Sequence, residues 1–347
     1  MTEAIYNHSA LIHGGPDMFG VPKHDLSTNA NACGPYGPAL QALRDTDARH
    51  YPDPTDTALT IQLAAWHGVT PSRIVLGASG SELIQRISTA VALQNQPSLK
   101  VGSVWLPGHA YGDYARAAEA VGLSQTEDAA SASLIWACEP SNPLGIPHAG
   151  LADQVAALQP GQTLVLDQAY EPLRLSGSLA LDESGLEHTW RLITPNKALG
   201  LTGIRAAYFI APSTVSASTL TARMRLLAPS WPLGAYGVAL LQSWATMDAH
   251  RWLANCRATL RTWKERQLNL LSAAGWQPEK GEAGMANFLV MTCDHLDMKT
   301  SLEALRQQGI KLRDCSSFGL PGRARMAVVA PSVQDALMEA LRQESVL

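Results

Sequence analysis

The sequence predicts an α/β protein: a mostly parallel sheet with helices on both faces, followed by a smaller α+β unit. Three observations predict it. Strand-like and helix-like stretches alternate from about residue 73 to about residue 210, the pattern of parallel strands joined by crossover helices. Leu164-Val165-Leu166 is a continuous apolar run of the kind found in strands covered on both faces. Beyond Val215 the order changes, first to helices and then to a short mixed unit.

The elements follow in order. Residues 1 to about 40 are rich in Gly, Pro and Asn and read as an arm with loops. A helix starts at Pro38 and runs to Arg44; His50-Tyr51-Pro52-Asp53-Pro54 breaks it, and Asp56 is placed to cap a second helix, Thr57 to His67. A strand over Arg73 to Gly77 enters the turn Ala78-Ser79-Gly80-Ser81-Glu82 and a helix to Leu93. Strands at 101–106, 133–138 and 162–168 alternate with helices at 111–121 and 150–158. Arg191-Leu192-Ile193 and Ala206 to Ile210 are strand-like runs flanking the loop Thr194 to Arg205. Helices at 219–227 and 234–245 precede a long one from His250 to Ala274, which bridges to the second unit. There, strands at 287–291, 311–313 and 325–329 alternate with helices at 299–308 and 333–342. The expected division is 1–45 as arm and part of the small domain, 46–250 as the large domain, and 251–347 as the small domain.

Composition narrows the function. With 347 residues, 46% hydrophobic and 16% charged, the chain suits one large domain plus a smaller one. A net charge of −4 leaves no electrostatic footprint for nucleic acid, and no basic run suits a membrane surface. No stretch is apolar for long enough to span a bilayer, and residues 1–31 lack a basic region followed by an apolar run, so a signal peptide is not expected. Five cysteines lie far apart with no CxxC pair, and ten histidines form no HxxxH or HxH pattern. Neither disulfides nor a metal site is expected, and a cytoplasmic setting is.

Ligands of such sheets bind at the carboxyl ends of the strands. Gly77 to Glu82, Ser141 to Gly145, Asp167 to Tyr170 and Lys197 all follow strands, so one site can collect them. A lysine held on a short loop between buried elements is well placed for attack on a carbonyl, because burial disfavours its charged form. Singly the motifs are ordinary. The glycine turn suits a phosphate at a helix N-terminus but also a plain turn; Asp167 could cap a helix, Asn142-Pro143 could be a simple turn, and Arg205 a surface cation.

Their order is more specific. Glycine turn, Asn142-Pro143-Leu144-Gly145, Asp167-Gln168-Ala169-Tyr170, Lys197 and Arg205 together resemble the aminotransferase class I/II family, pyridoxal-phosphate enzymes of fold type I. The resemblance implies a seven-stranded large sheet and pyridoxal 5'-phosphate as cofactor. Lys197 would carry the cofactor and serve as proton-transfer base, while Asp167 would face the pyridine nitrogen. Asn142 and Tyr170 would bond the ring hydroxyl. Gly80, Ser81, Thr194, Asn196 and Arg205 would form the phosphate cup. Tyr111 would stack on the ring, with His109 as a second candidate. Tyr51 would reach the phosphate across a homodimer interface. Two positions depart from the pattern: Asn196 stands where serine is usual, and Ile193 where arginine is usual.

Asn29-Ala30-Asn31, Tyr36-Gly37-Pro38, His50-Tyr51-Pro52 and Arg313 through Arg325 are similar to the histidinol-phosphate aminotransferase branch, which includes threonine-phosphate decarboxylase of cobalamin synthesis. His13-Gly14-Gly15 resembles the opening of the decarboxylases and makes that activity the leading expectation. The alternative is a histidinol-phosphate-type aminotransferase using 2-oxoglutarate. On either reading Arg325 would pair with a carboxylate, Arg313 and His13 with a phosphate, and Asn31 and Tyr36 would line the pocket. Arg323 has no assigned role. A non-catalytic binding protein of the same fold is the reading from another class, suggested by Asn196 and Ile193.

Overall fold

The structure, a computed structural model, describes residues 13–95 and 102–344. The first twelve residues of the expected arm and Val101 of the strand expected at 101–106 lie outside the described residues. β1 (His24–Asp25) precedes helices α1 (Gly37–Asp45) and α2 (Thr57–His67). Alternation begins with β2 (Ile74–Gly77), α3 (Gly80–Asn95), β3 (Ser103–Trp105), α4 (Gly112–Ala120) and β4 (Ser124–Gln125). It continues through β5 (Leu134–Cys138), α5 (Leu151–Ala156), β6 (Thr163–Asp167), α6 (Glu183–Leu186), β7 (Trp190–Ile193) and β8 (Ala207–Ile210). Helices α7 (Val215–Leu226), α8 (Ala235–Trp244) and α9 (Met247–Ala273) follow. The chain closes with β9 (Gln277–Pro278), β10 (Phe288–Thr292), α10 (Met298–Gln307), β11 (Ile310–Lys311), β12 (Arg313–Asp314), β13 (Ala324–Ala327) and α11 (Pro331–Glu344).

The large sheet has seven strands in the order β2-β8-β7-β6-β5-β3-β4. β8 is antiparallel to both neighbours and the other pairs are parallel. The carboxyl ends of β2, β5, β6 and β7 therefore share one edge. Alternation along each strand sorts its side chains between the faces. On β5 and β6, Leu134, Trp136 and Val165 join the core under α3, α4 and α7. Ile135, Ala137, Leu164 and Leu166 face the opposite way, against α5 and α6. The second sheet, β12-β13-β10-β9, is antiparallel and packs with α10 and α11. Helix α9 joins the two cores: Leu253 and Leu260 belong to the first, Leu271 to the second. β1 pairs with β11, which ties the N-terminal segment to the C-terminal unit.

The outermost strand of the large sheet has no counterpart among the expected strands, and one local expectation is corrected. β4, short and exposed, carries too little apolar signal to be read from sequence. Asp56 precedes α2 but its side chain makes no capping bond. Asp53 does that work, its carboxylate accepting the Thr57 N–H at 3.0 Å, because the turn at residues 53–56 folds it back over the helix end.

Candidate active site

A cavity of about 810 Å³ lies at the carboxyl edge of the large sheet, walled on its far side by Arg313, Phe318 and Arg325 of the second unit. Lys197 enters it from the loop after β7. That loop is tightly bonded: Leu199 N–H donates to Pro195 O at 2.9 Å and Leu201 N–H to Asn196 O at 2.8 Å. Ala198 and Leu199 are fully buried, so the lysine backbone is anchored and only its side chain projects. The ammonium lies 5.3 Å from the centre of the Tyr170 ring. Gly200 takes a positive φ of 68°, and a Cβ there would lie 3.0 Å from the Gly34 Cα, so glycine lets the arm press against the loop.

Asp167 ends β6 and lines the cavity, buried. Its Oδ1 accepts the Ala169 N–H at 2.9 Å and its Oδ2 accepts the Tyr114 hydroxyl at 2.6 Å. Burial pushes its carboxyl up, and these two bonds and the Lys197 charge oppose that push. Asn142, in the turn after β5, and Tyr170, braced edge-on by Phe288 at 4.8 Å, line the same wall.

At one end of the cavity the start of α3 presents Gly80 and Ser81. Ser79 caps this helix by accepting the Glu82 N–H at 3.1 Å. Glycine is required at position 80, since a Cβ would lie 2.8 Å from Thr194 Cγ2. Ser81 Oγ lies 3.3 Å from the Tyr111 hydroxyl. Thr194 Oγ1 is buried with no hydrogen-bond partner among the described residues. Arg205 lines this end and is exposed. Asn196 also lines it, but its Oδ1 accepts the Lys197 N–H at 3.0 Å and its amide reaches Thr202 O at 3.4 Å. The unusual asparagine thus serves the loop itself.

The other end is cationic. Arg313 and Arg325 are cross-strand partners on β12 and β13, both buried. Their guanidinium carbons lie 4.9 and 5.6 Å from the Phe318 ring centre. Arg313 donates to Ser317 Oγ at 2.6 Å, and Arg325 donates to Asn142 Oδ1 and, at 2.9 Å, to Ser27 O. His13 reaches the cavity beside Tyr111, ring centres 6.0 Å apart. Gly14 lies so close to Ser27 O that a Cβ would meet it at 2.3 Å, which fixes the His-Gly-Gly segment on the wall. Burial lowers the His13 pKa, opposed by Asp113 and reinforced by Arg313, Arg116 and Arg205.

Two residues expected to line the pocket, Asn31 and Tyr36, are not on the cavity wall. Asn31 donates from its backbone to Lys197 O and from its side chain to Ala198 O, both at 2.9 Å, so it braces the lysine loop from behind. Tyr36 is buried against Trp252, and its N–H donates to Leu199 O. Tyr51 stands 77% exposed, stacked on Trp231 at 4.4 Å. His109, the second stacking candidate, instead bonds Phe318 O at 2.8 Å. Arg323 pairs with Glu279 at 2.8 Å. Conversely, Asp25, Asp113, Tyr114, Arg116, Ser317 and Phe318 line the cavity without having been singled out. Only the place of α4 at the carboxyl edge could have pointed to its three.

The family model for aminotransferase class I and II matches residues 123–343. The chain belongs to the aminotransferase class I and II family. Among its relatives, the histidinol-phosphate aminotransferase of Rhodospirillum rubrum is 29% identical, covering 97% of this chain and 94% of that protein. Among solved structures, the histidinol-phosphate aminotransferase of Sinorhizobium meliloti in complex with pyridoxal-5'-phosphate superposes with TM-score 0.75 at 21% identity, covering 94% of this chain and 92% of that one. The L-threonine-O-3-phosphate decarboxylase of Porphyromonas gingivalis superposes with TM-score 0.77 at 17% identity, covering 93% and 99%. As a member of this family the protein is a pyridoxal-phosphate-dependent enzyme of fold type I. Its residues fit that cofactor: the orphaned Thr194 Oγ1, the close-packed Gly80 and the helix start form an anion cradle, and Lys197 and Asp167 line the same cavity.

Proposed function

We propose that this enzyme transfers the amino group of a phosphate-bearing primary amine, in the manner of a histidinol-phosphate-type aminotransferase. The observation that favours amino transfer is the likeness to histidinol-phosphate aminotransferases over nearly the whole chain; the arginine pair, Arg313 and Arg325, buried side by side on the cavity that Lys197 enters, supports an anionic substrate on either reading. Buried guanidinium groups call for anions, and two of them suit a substrate with two anionic anchors or two substrates that alternate. Residues 46–250 would form the cofactor-holding unit, and 251–347 with the arm the unit that presents the arginines.

Pyridoxal phosphate, when bound, supplies an electron sink for a bond at the substrate's α-carbon. Lys197 would hold it covalently and then move a proton at that carbon. Asp167 would hold the proton of the ring nitrogen, and Asn142 and Tyr170 would bond the ring hydroxyl. Thr194, Ser81, Arg205 and the Gly80–Ser81 backbone would hold the phosphate, with Tyr111 against the ring. Arg325 would bind the carboxylate, and Arg313 and His13 the substrate phosphate, excluding water as they close on it. Tyr51 would complete the site from the second subunit of a homodimer.

A second reading, decarboxylation of threonine phosphate, is favoured by one observation: His13-Gly14-Gly15 forms part of the cavity wall. Loss of carbon dioxide instead of a proton depends on which α-carbon bond the anchors hold perpendicular to the ring. Histidinol phosphate with 2-oxoglutarate, and threonine phosphate alone, would be assayed for amino transfer and for carbon dioxide. Turnover of histidinol phosphate supports the aminotransferase; carbon dioxide from threonine phosphate, without transfer, overturns it for the decarboxylase. Borohydride reduction should fix the chromophore to Lys197, and a protein that takes up no cofactor would overturn both.

A further inference from the structure

The face of β5 and β6 that carries Trp136 and Val165 ends in Cys138 and Asp167, which are register partners. Helix α4 packs on that face and lays Tyr114 across it. The Tyr114 ring is stacked on Trp136, centres 4.2 Å apart and planes 8° apart, and meets Tyr111 edge-on at 5.8 Å. It is fully buried, and its hydroxyl donates to Asp167 Oδ2 at 2.6 Å. A buried tyrosine hydroxyl needs a partner, and a backbone carbonyl would have sufficed. Here the partner is a carboxylate on the cavity wall whose other oxygen is held by the Ala169 N–H.

We propose that Tyr114 is a positioning residue whose hydroxyl orients the Asp167 carboxylate and keeps it ionised, and thereby sets the protonation of the cofactor's pyridine nitrogen. The inference rests on the role given to Asp167 above. Among the described residues, three titratable groups face that carboxylate: Tyr114 from α4, Cys138 from β5 and Lys197 from its loop. Burial pushes the Tyr114 and Cys138 protons on more firmly, so both stay neutral and Tyr114 keeps the proton it donates. Without the phenol, Asp167 would be a stronger base in a dry site and would draw the ring proton toward itself, weakening the electron sink.

The test uses holoenzyme loaded with cofactor labelled with nitrogen-15 in the ring, read by NMR. Tyr114→Phe should move the resonance toward that of neutral pyridine and lower kcat about tenfold, with KM nearly unchanged. Incorporating 3-fluorotyrosine at position 114, a more acidic donor, should move it the opposite way; this variant also serves if the phenylalanine protein does not fold. A resonance that stays in place in both proteins overturns the proposal. Asp167→Asn separates the two levels. A shift there without one at position 114 defeats the Tyr114 role alone; no shift in any variant defeats the assignment of Asp167 itself.

Discussion

Arg325, on β13 of the small sheet, hydrogen-bonds Oδ1 of Asn142, which sits in the turn after β5 of the large sheet. The candidate carboxylate anchor and a candidate ligand of the ring hydroxyl are thus one unit. The guanidinium is also held by Ser27 O, while its Nε is buried without a partner among the described residues. A planar fork meets these demands and a lysine cannot. Arg325→Lys should therefore lower kcat/KM about 100-fold and shift the pH titration of the cofactor's absorption, because Asn142 loses its partner. Steady-state kinetics and a spectral titration check both; a change in KM alone would uncouple the two residues.

Thr194 Oγ1 offers a second test. It has no hydrogen-bond partner among the described residues, so removing it should cost the apoprotein little. Thr194→Val should leave unfolding free energy within about 0.5 kcal/mol, yet weaken cofactor binding about tenfold or more. Denaturant melts of apoprotein and a cofactor titration would separate the effects.

Acid stability is set partly away from the site. His67 is held by the Tyr208 hydroxyl at 2.7 Å, and Tyr208 also accepts from Trp244 at 2.9 Å. Burial, helped by the positive charge of Arg191, lowers the His67 pKa from 6.5 to about 3. The unfolded chain binds this proton below pH 6.5 and the folded one does not. The contribution is therefore complete above pH 6.5 and lost as pH falls toward 3, by up to about 1.4 kcal/mol per pH unit. His67→Gln should flatten that slope in urea unfolding measured at pH 7, 5.5 and 4.5.

Glu139, wholly buried at the end of β5, accepts from Arg174 at 2.9 Å and from the His148 and Ala180 N–H groups. Arg174→Met leaves that carboxylate without its cation and should destabilise the fold by about 3–5 kcal/mol. Glu139→Gln, which keeps acceptor capacity, should cost less. Thermal unfolding ranks the two.

Much of this protein is legible in its sequence because the chemistry is local. Strand and helix periods marked most large-sheet strands and the C-terminal unit. Gly80, Asp167, Thr194 and Lys197 stand just after apolar strands, so their meeting at one edge follows from parallel topology alone. The order of those motifs also carried the family. What the chain order does not contain is which face a residue ends on once distant segments pack. Asn31 and Tyr36 look like pocket residues in a Gly- and Asn-rich arm, but the arm folds behind the lysine loop. Tyr114 reads as an apolar helix position, and only the register of β5 against β6 puts Asp167 under its hydroxyl. Arg313 and Arg325, twelve residues apart, become neighbours through a β pairing, and Asn142 joins them from the other sheet. Sequence fixes which side chains are available at each strand end; long-range packing, a sum of contacts between residues far apart in the chain, decides which of them share one cavity.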